Sequence, residues 1–345
     1  MCFDHRVIGD GPAARFVKTD KCFVEEPLLG LAWGHCREEG GFSVPDNEGV
    51  VFIDGQYLPA KEGKLSVLDS GFWRGINVFD TLCAHQGYIF KIDAHLARFY
   101  CSLQAVRIAI PYTREQLREI ILETVRRTGL RDSYIQCIAT RGCRSPVPID
   151  RWTPSIIVYA IPYYGVVSDD AMARGVKVRV SSIRNIPPQC LDPKIKNFNR
   201  LHAYLARLEA LDSGADDPLM LDLDGYVTEG PGANIFAVRG GHLYTPTEGI
   251  LLGITRQTII EIAHTEDVPV HETLLTPYDL YIAEEVFYST TAGGIVPIVE
   301  VDGRPVGNGS PGPVTRRFGE IYSRMCVSPP HATPVYAGVA GVIQG

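Results

Sequence analysis

The sequence predicts an α+β protein of two domains. Three observations carry that reading. Strand-like and helix-like segments follow one another in mixed order, the 345-residue length exceeds what one typical core fills, and a Pro-, Gly- and Arg-rich stretch breaks the pattern at 141–154. An apolar content of 45% beside 21% charged residues is ordinary for a globular chain, which sets disordered and fibrous classes aside.

Residues 1–45 have mixed polarity and weak periodicity, and they read as an N-terminal arm. A small α/β domain is expected over 46–142. It opens with Val50-Val51-Phe52-Ile53, turns at Asp54-Gly55 and returns through Gln56-Tyr57-Leu58, because Asp-Gly between apolar runs signals a tight hairpin. Ile92, Leu96, Phe99, Leu103 and Val106 recur at helical spacing. A second helix starts at Thr113 with Gln116 as a capping box, buries Leu117, Ile120, Ile121 and Val125, and stops at Gly129. Residues 134–140 read as a strand, and 143–155 as an interdomain loop.

The larger domain is expected over 156–326. Its first strand is the β-branched run 156–161. Leu201, Tyr204, Leu205 and Leu208 form the apolar face of a helix, and a hairpin turning at Asp224-Gly225 leads to Glu229. A strand at 285–289 precedes the turn Thr290-Thr291-Ala292-Gly293-Gly294. The tail 327–345 is rich in Pro, Gly and Ala and is expected to lack regular structure.

Charge and motifs narrow the function. A net charge of −7 offers no basic field for nucleic acid. No apolar run is long enough to span a bilayer, and the first residues lack a signal-peptide core. Nine scattered cysteines, an odd number, fit reduced thiols in a cytoplasm better than a disulfide framework. Cys137 and Cys143 have no histidine partners at metal-ligand spacing, so no metal is expected. Gly-x-Ser-x-Gly and Walker patterns are missing, which sets serine hydrolases and nucleotide hydrolases aside.

The chemistry concentrates in 192–199 (DPKIKNFN) and 227–236 (VTEGPGANIF). Lys196 lies in an Asn-bracketed turn ahead of an amphipathic helix, and Glu229 follows 33 residues later in a Gly-rich loop. A lysine that forms a Schiff base and an acid that keeps a pyridine nitrogen protonated are what pyridoxal 5'-phosphate asks of a protein. Lys194 is a rival; on strand alternation it would point the same way as Lys196, so spacing leaves both open. Phosphate needs donors and positive charge. The helix start at Gly253-Ile254-Thr255, the Thr290-Thr291 turn and Arg98 on the 92–106 helix supply them. Asn199 and Asn234 are either part of these loops' hydrogen bonding or turn residues.

The two motifs together resemble the signature of fold-type IV, or class IV, pyridoxal-phosphate enzymes. Leu68-Asp69-Ser70-Gly71-Phe72, His95-Leu96-Ala97-Arg98, Gly253-Ile254-Thr255-Arg256 and 289–295 extend the resemblance from about 49 to about 323. The resemblance implies a small N-terminal domain, a larger domain built on a barrel-like sheet, cofactor between them, and a homodimer. It selects Lys196 over Lys194 and implies Glu229 at the ring nitrogen, with Arg98, Ile254, Thr255 and Thr291 at the phosphate.

Within the family, Ile186-Pro187-Pro188, the 290–295 turn and 312–315 look most like (R)-selective amine transaminases. Branched-chain enzymes usually place a tyrosine where this chain has Arg200-Leu201. The expectation is therefore transfer of an amino group from an (R)-amine or D-amino acid to a 2-oxo acid through Lys196. A branched-chain L-amino-acid aminotransferase, an aminodeoxychorismate lyase and, from another class, a non-catalytic binding protein are the alternatives. Arg74, Arg144 and Arg151 are candidates for the substrate carboxylate, and Phe79 and Ala292 for the substrate pocket.

Overall fold

The computed structural model describes residues 49–336. The proposed arm 1–45 and the tail beyond 336 lie outside the described residues. Seven strands form the first sheet, in the order Ala332–Pro334, Tyr88–Phe90, Asn77–His85, Ser133–Thr140, Ser155–Pro162, Val50–Ile53 and Gln56–Pro59. Every neighbouring pair is antiparallel. The predicted hairpin is present: Ile53 pairs with Gln56, and Asp54 and Gly55 take the positive φ values of 45° and 97° that a two-residue turn requires.

Alternation divides this sheet into two chemically different faces. Val78, Leu82, Ile135, Cys137 and Val158 point to one side, where helices Ile92–Ala105 and Arg114–Thr128 bury them against Phe99, Leu117 and Ile121. The second helix has the capping box Thr113–Gln116, and Gly129 ends it at φ 69°. Phe79, Thr81, Tyr134 and Gln136 occupy the other face, which is left to line a cavity.

The second sheet has nine strands among the described residues. Its path runs Val270–Glu272, His242–Thr245, Ala233–Arg239, Glu285–Thr290, Gly294–Val301, Val176–Arg184 and Asp217–Leu221, with Glu229–Gly230 on Ala233–Arg239 and Arg304–Pro305 on Gly294–Val301. Helices Ile254–Thr265 and Pro313–Met325 cover one face through Phe236, Ile259, Phe287 and Phe318. The 312–315 motif is a helix start: Glu285 accepts from the backbone N–H groups of Val314 (3.0 Å) and Thr315 (2.8 Å), satisfying donors that a helix otherwise leaves unpaired.

Two sequence expectations need correction. The strand after the 143–155 segment pairs with Ser133–Thr140 and Val50–Ile53, so that segment links two strands of one sheet rather than two domains. The chain changes sheets later, between Pro162 and Val176. Pro and Gly mark an irregular stretch, but they say nothing about which sheet the next strand joins. The tail is not wholly irregular either, because Ala332–Pro334 pairs with Tyr88–Phe90 at the edge of the first sheet. Phe90 in turn packs on Tyr322 of the second sheet's covering helix, centroids 5.3 Å apart, which ties the two sheets together.

Candidate active site

Residues 185–200 form neither helix nor strand, so alternation does not relate the two lysines. Lys194 is 60% exposed and pairs with Asp192 at 3.1 Å. Lys196 turns inward, its Nζ 4.5 Å from the centroid of the Phe79 ring. The loop is fastened from several directions. Phe79 N–H donates to the Lys196 carbonyl at 3.0 Å, and Phe198 N–H donates to Asn77 Oδ1 at 3.0 Å. Asn199 Nδ2 donates to the Gly75 carbonyl, also at 3.0 Å, so Asn199 holds the loop's shape. Burial, with the Arg98 guanidinium next in effect, brings the Lys196 ammonium down to about 7, although Asp80 and Glu229 pull it back. At neutral pH much of this amine is therefore uncharged and nucleophilic.

Arg98 owes its position to an ion network the sequence does not announce. Asp80 alternates with Phe79 on its strand and so faces the helix Ile92–Ala105. There it accepts from Arg98 Nε (2.9 Å) and Nη2 (2.8 Å), and His95 Nδ1 lies 2.7 Å from the same carboxylate. Burial alone would raise the Asp80 carboxyl, yet Arg98 and His95 hold it well below the usual carboxylate range. Burial lowers His95, keeping the imidazole neutral; from sequence this histidine reads as merely structural. Asp80→Asn is expected to cost ~3 kcal/mol of stability, because it leaves a guanidinium uncompensated at a buried site. Asp80's low folded value makes its contribution full above the ordinary aspartate range and lost as pH falls through that value. Urea denaturation of the cofactor-free wild type and variant should therefore differ at pH 7 and converge in acid.

Glu229, on the short strand Glu229–Gly230, is 7% exposed. Its Oε2 accepts from Asn234 Nδ2 (3.1 Å) and Leu251 N–H (2.9 Å). Asn234 sits directly opposite on the neighbouring strand, which gives it a positioning role. Burial lifts the Glu229 carboxyl to about 7, against the pull of Arg200 and the Leu251 amide. An acid so placed ionises fully only when a cation joins it.

Two more elements close the cavity. The helix Ile254–Thr265 begins at Gly253, where a Cβ would stand 2.2 Å from Asn234 Oδ1, so only glycine lets the helix start approach so closely. Its first N–H groups and the turn Thr290-Thr291-Ala292 line the same cavity as Arg98, Lys196 and Glu229. Arg98 Nη1 reaches the Leu252 carbonyl at 3.2 Å, tying the first domain's arginine to that helix start. Thr255 is buried, its Oγ1 3.3 Å from the Tyr322 hydroxyl.

The structure thus brings Lys196, Glu229, Arg98, Ile254, Thr255, Thr291, Phe79 and Ala292 together around one cavity. It does not bring Arg74, Arg144 or Arg151 there. Arg74 is exposed and stacks on Trp73 at 4.1 Å, Arg144 is exposed in a loop held by its N–H to the Leu68 carbonyl, and Arg151 is exposed in a short 3-10 turn. Sequence reasoning passes over Thr81, Tyr134, Gln136, Tyr164, Arg200 and Ser289, all of which line the cavity. Period-two alternation from Phe79 would have found Thr81. The others depend on strand pairing and loop placement that no local pattern encodes.

The sequence profile of the amino-transferase class IV family matches residues 77–301. A Methanocaldococcus jannaschii protein, provisionally named a branched-chain-amino-acid aminotransferase, is 37% identical over 276 residues, 79% of this chain and 94% of its own length. The branched-chain-amino-acid aminotransferase of Pseudomonas aeruginosa is 33% identical over 287 residues, 81% of this chain and 94% of that protein. Among solved structures, the branched-chain aminotransferase of the thermophilic archaeon Thermoproteus uzoniensis with norvaline superposes with a TM-score of 0.78 at 33% identity, over 84% of this chain and 100% of that one. The Thermobaculum terrenum branched-chain amino acid aminotransferase in its pyridoxal-phosphate form superposes with a TM-score of 0.76 at 28% identity, over 83% of this chain and 98% of that one.

Proposed function

This chain belongs to the class IV aminotransferases, and from that premise we propose that it moves the amino group of a branched-chain L-amino acid to a 2-oxo acid. The fold is the fold-type IV architecture, the enzyme is a transaminase, and its cofactor is pyridoxal 5'-phosphate. Among the described residues, no helix is long and apolar enough to cross a membrane. The observation that carries the reading is a lysine and a buried acid on the walls of one cavity, in a chain that is 33% identical to a branched-chain enzyme over 287 aligned residues.

The residues present fit this cofactor. Among the described residues Ser289 Oγ is buried at the cavity without a hydrogen-bond partner, the Gly253 helix start leaves no room for a side chain, and Glu229 stands ready for a cationic ring nitrogen. When bound, pyridoxal phosphate supplies an aldehyde that takes up the amino group and a ring that accepts electrons. Arg98, the Ile254 and Thr255 amides, and the Thr255 and Thr291 hydroxyls hold the phosphate. Glu229 holds the ring-nitrogen proton, with Asn234 and the Leu251 amide fixing its carboxylate. Lys196 Nζ accepts the proton from the donor's Cα and returns it on the far side of the transfer. Phe79, Tyr134, Tyr164, Val166 and Ala292 wall the cavity, exclude water and offer an apolar surface to an alkyl arm.

Sequence motifs favour (R)-amines or D-amino acids. The 312–315 motif belongs to a helix cap, however, and Arg200 has its Nη2 on the Pro231 carbonyl, so neither feature speaks for an amine donor. Holoenzyme mixed with L-leucine, L-glutamate, D-alanine or (R)-1-phenylethylamine loses its yellow absorbance as the donor reacts. L-leucine is expected to react at least ~10-fold faster than D-alanine. Fastest loss with D-alanine or (R)-1-phenylethylamine would sink the proposal.

A further inference from the structure

Gln136 lines this cavity, and the mechanism leaves it unused. It lies on the central strand Ser133–Thr140, directly opposite Thr81 on one side and Tyr159 on the other. The side chain is 1% exposed and lines the cavity. Its Nε2 donates to the Tyr134 hydroxyl at 2.8 Å and approaches Thr81 Oγ1 at 3.5 Å. Among the described residues its Oε1 is buried with no hydrogen-bond partner. Buried side-chain amides almost always satisfy both ends, and with Nε2 on the Tyr134 hydroxyl the end left over is the acceptor Oε1, so this wall points to a donor carried by the ligand.

Charge on this wall points the same way. Among the described residues four cations line the cavity: Arg98 is bound to Asp80, Arg207 to Asp217 at 3.2 Å, Arg200 to the Pro231 carbonyl, and Lys196 is the reactive amine. None belongs to the wall of Thr81, Tyr134 and Gln136. That wall stands one strand repeat, ~7 Å, beyond Phe79, whose ring Lys196 touches, a distance that suits the far end of a substrate arm rather than its reacting carbon.

A transaminase admits two amino acids in turn to one cavity. A branched alkyl arm satisfies the apolar walls but leaves Oε1 without a donor. We propose that Gln136, supported by Thr81 and Tyr134, sets the identity of the second amino acid, selecting an uncharged arm that ends in a hydrogen-bond donor, such as a carboxamide, over an arm that ends in a carboxylate. The inference rests on the reading of this cavity as the transamination site.

Three isosteric acids without an amino group test it by binding alone: 4-carbamoylbutanoate, glutarate and 5-methylhexanoate, titrated calorimetrically into holoenzyme. The amide should bind ~10-fold more tightly than glutarate. In Gln136→Leu the preference should fall to within ~2-fold while 5-methylhexanoate still binds. Glutarate binding as tightly as the amide to the wild-type enzyme would overturn the proposal, with no variant needed. A preference that survives in both Gln136→Leu and Gln136→Met would overturn it too. L-leucine consumption reads the cavity assignment separately. If leucine reacts and the three acids bind alike, only the role of Gln136 fails; if leucine is inert and none of the acids binds, the assignment fails with it.

Discussion

Lys196→Ala is expected to reduce the L-leucine half-reaction by ~10⁴-fold or more, the upper range for loss of a positioned acid–base group. The variant should still bind pyridoxal phosphate, because Arg98, the Ile254–Thr265 helix start and the threonine turn are untouched. Equilibrium dialysis measures that directly. Borohydride reduction of the wild-type holoenzyme, followed by peptide mapping, should place the cofactor on residue 196. Finding it on Lys194 would sink the assignment, and the geometry argues against that outcome, since Lys194 is exposed and ion-paired with Asp192. The pH dependence has a definite sign. Only the neutral amine reacts, and burial beside Arg98 brings it down to about 7. Capture of cofactor by the cofactor-free protein should therefore rise with pH through about 7, rather than near the ordinary lysine value of 10.5.

Glu229→Gln is the second large effect, expected to lower the half-reaction rate by ~10²–10³-fold, the range for removing one group that stabilises developing charge. The amide keeps the shape and can still accept from Asn234 and Leu251, but it carries no charge to hold the ring-nitrogen proton. Rate loss with retained cofactor affinity would separate this role from a structural one. Stability gives an independent reading. Burial raises the folded carboxyl from 4.5 to about 7, so the folded cofactor-free protein holds this proton longer than the unfolded chain. A raised value means stability is complete below pH 4.5 and falls as pH rises through about 7. The cofactor-free Gln variant should thus match the wild type near pH 4.5 and exceed it near pH 8, by up to ~3 kcal/mol in urea denaturation. No difference at pH 8 would mean that Glu229 is already compensated.

Local chemistry makes part of this molecule readable. Asp54-Gly55 announces its hairpin because two positive-φ positions leave few residue choices, and Thr113 with Gln116 announces its helix because the cap is a contact between near neighbours. The loops around Lys196 and Glu229 are legible through their resemblance to the class IV signature, which selects Lys196 where spacing leaves Lys194 open. Contacts between distant segments are not. Asp80, His95 and Arg98 meet only once a strand packs on a helix, and Gln136 acquires meaning only from the register that sets Thr81 beside it. The arginines of the 141–154 segment illustrate the converse. Resemblance to related enzymes suggests substrate binding there, but the strand that follows returns to the first sheet and leaves Arg144 and Arg151 exposed.

The strand Ala332–Pro334 has a consequence for the order in which the molecule is made. A ribosome delivers Tyr88–Phe90 early, and the segment that borders it emerges only after every strand of the second sheet has been synthesised. Among the described residues no other strand borders that side of Tyr88–Phe90, so until then it is an open backbone edge, the kind of surface that recruits stray strands. Nascent polypeptide should accordingly be most prone to aggregation in that interval, and a chaperone that masks the Tyr88–Phe90 border would help it most before translation reaches Ala332.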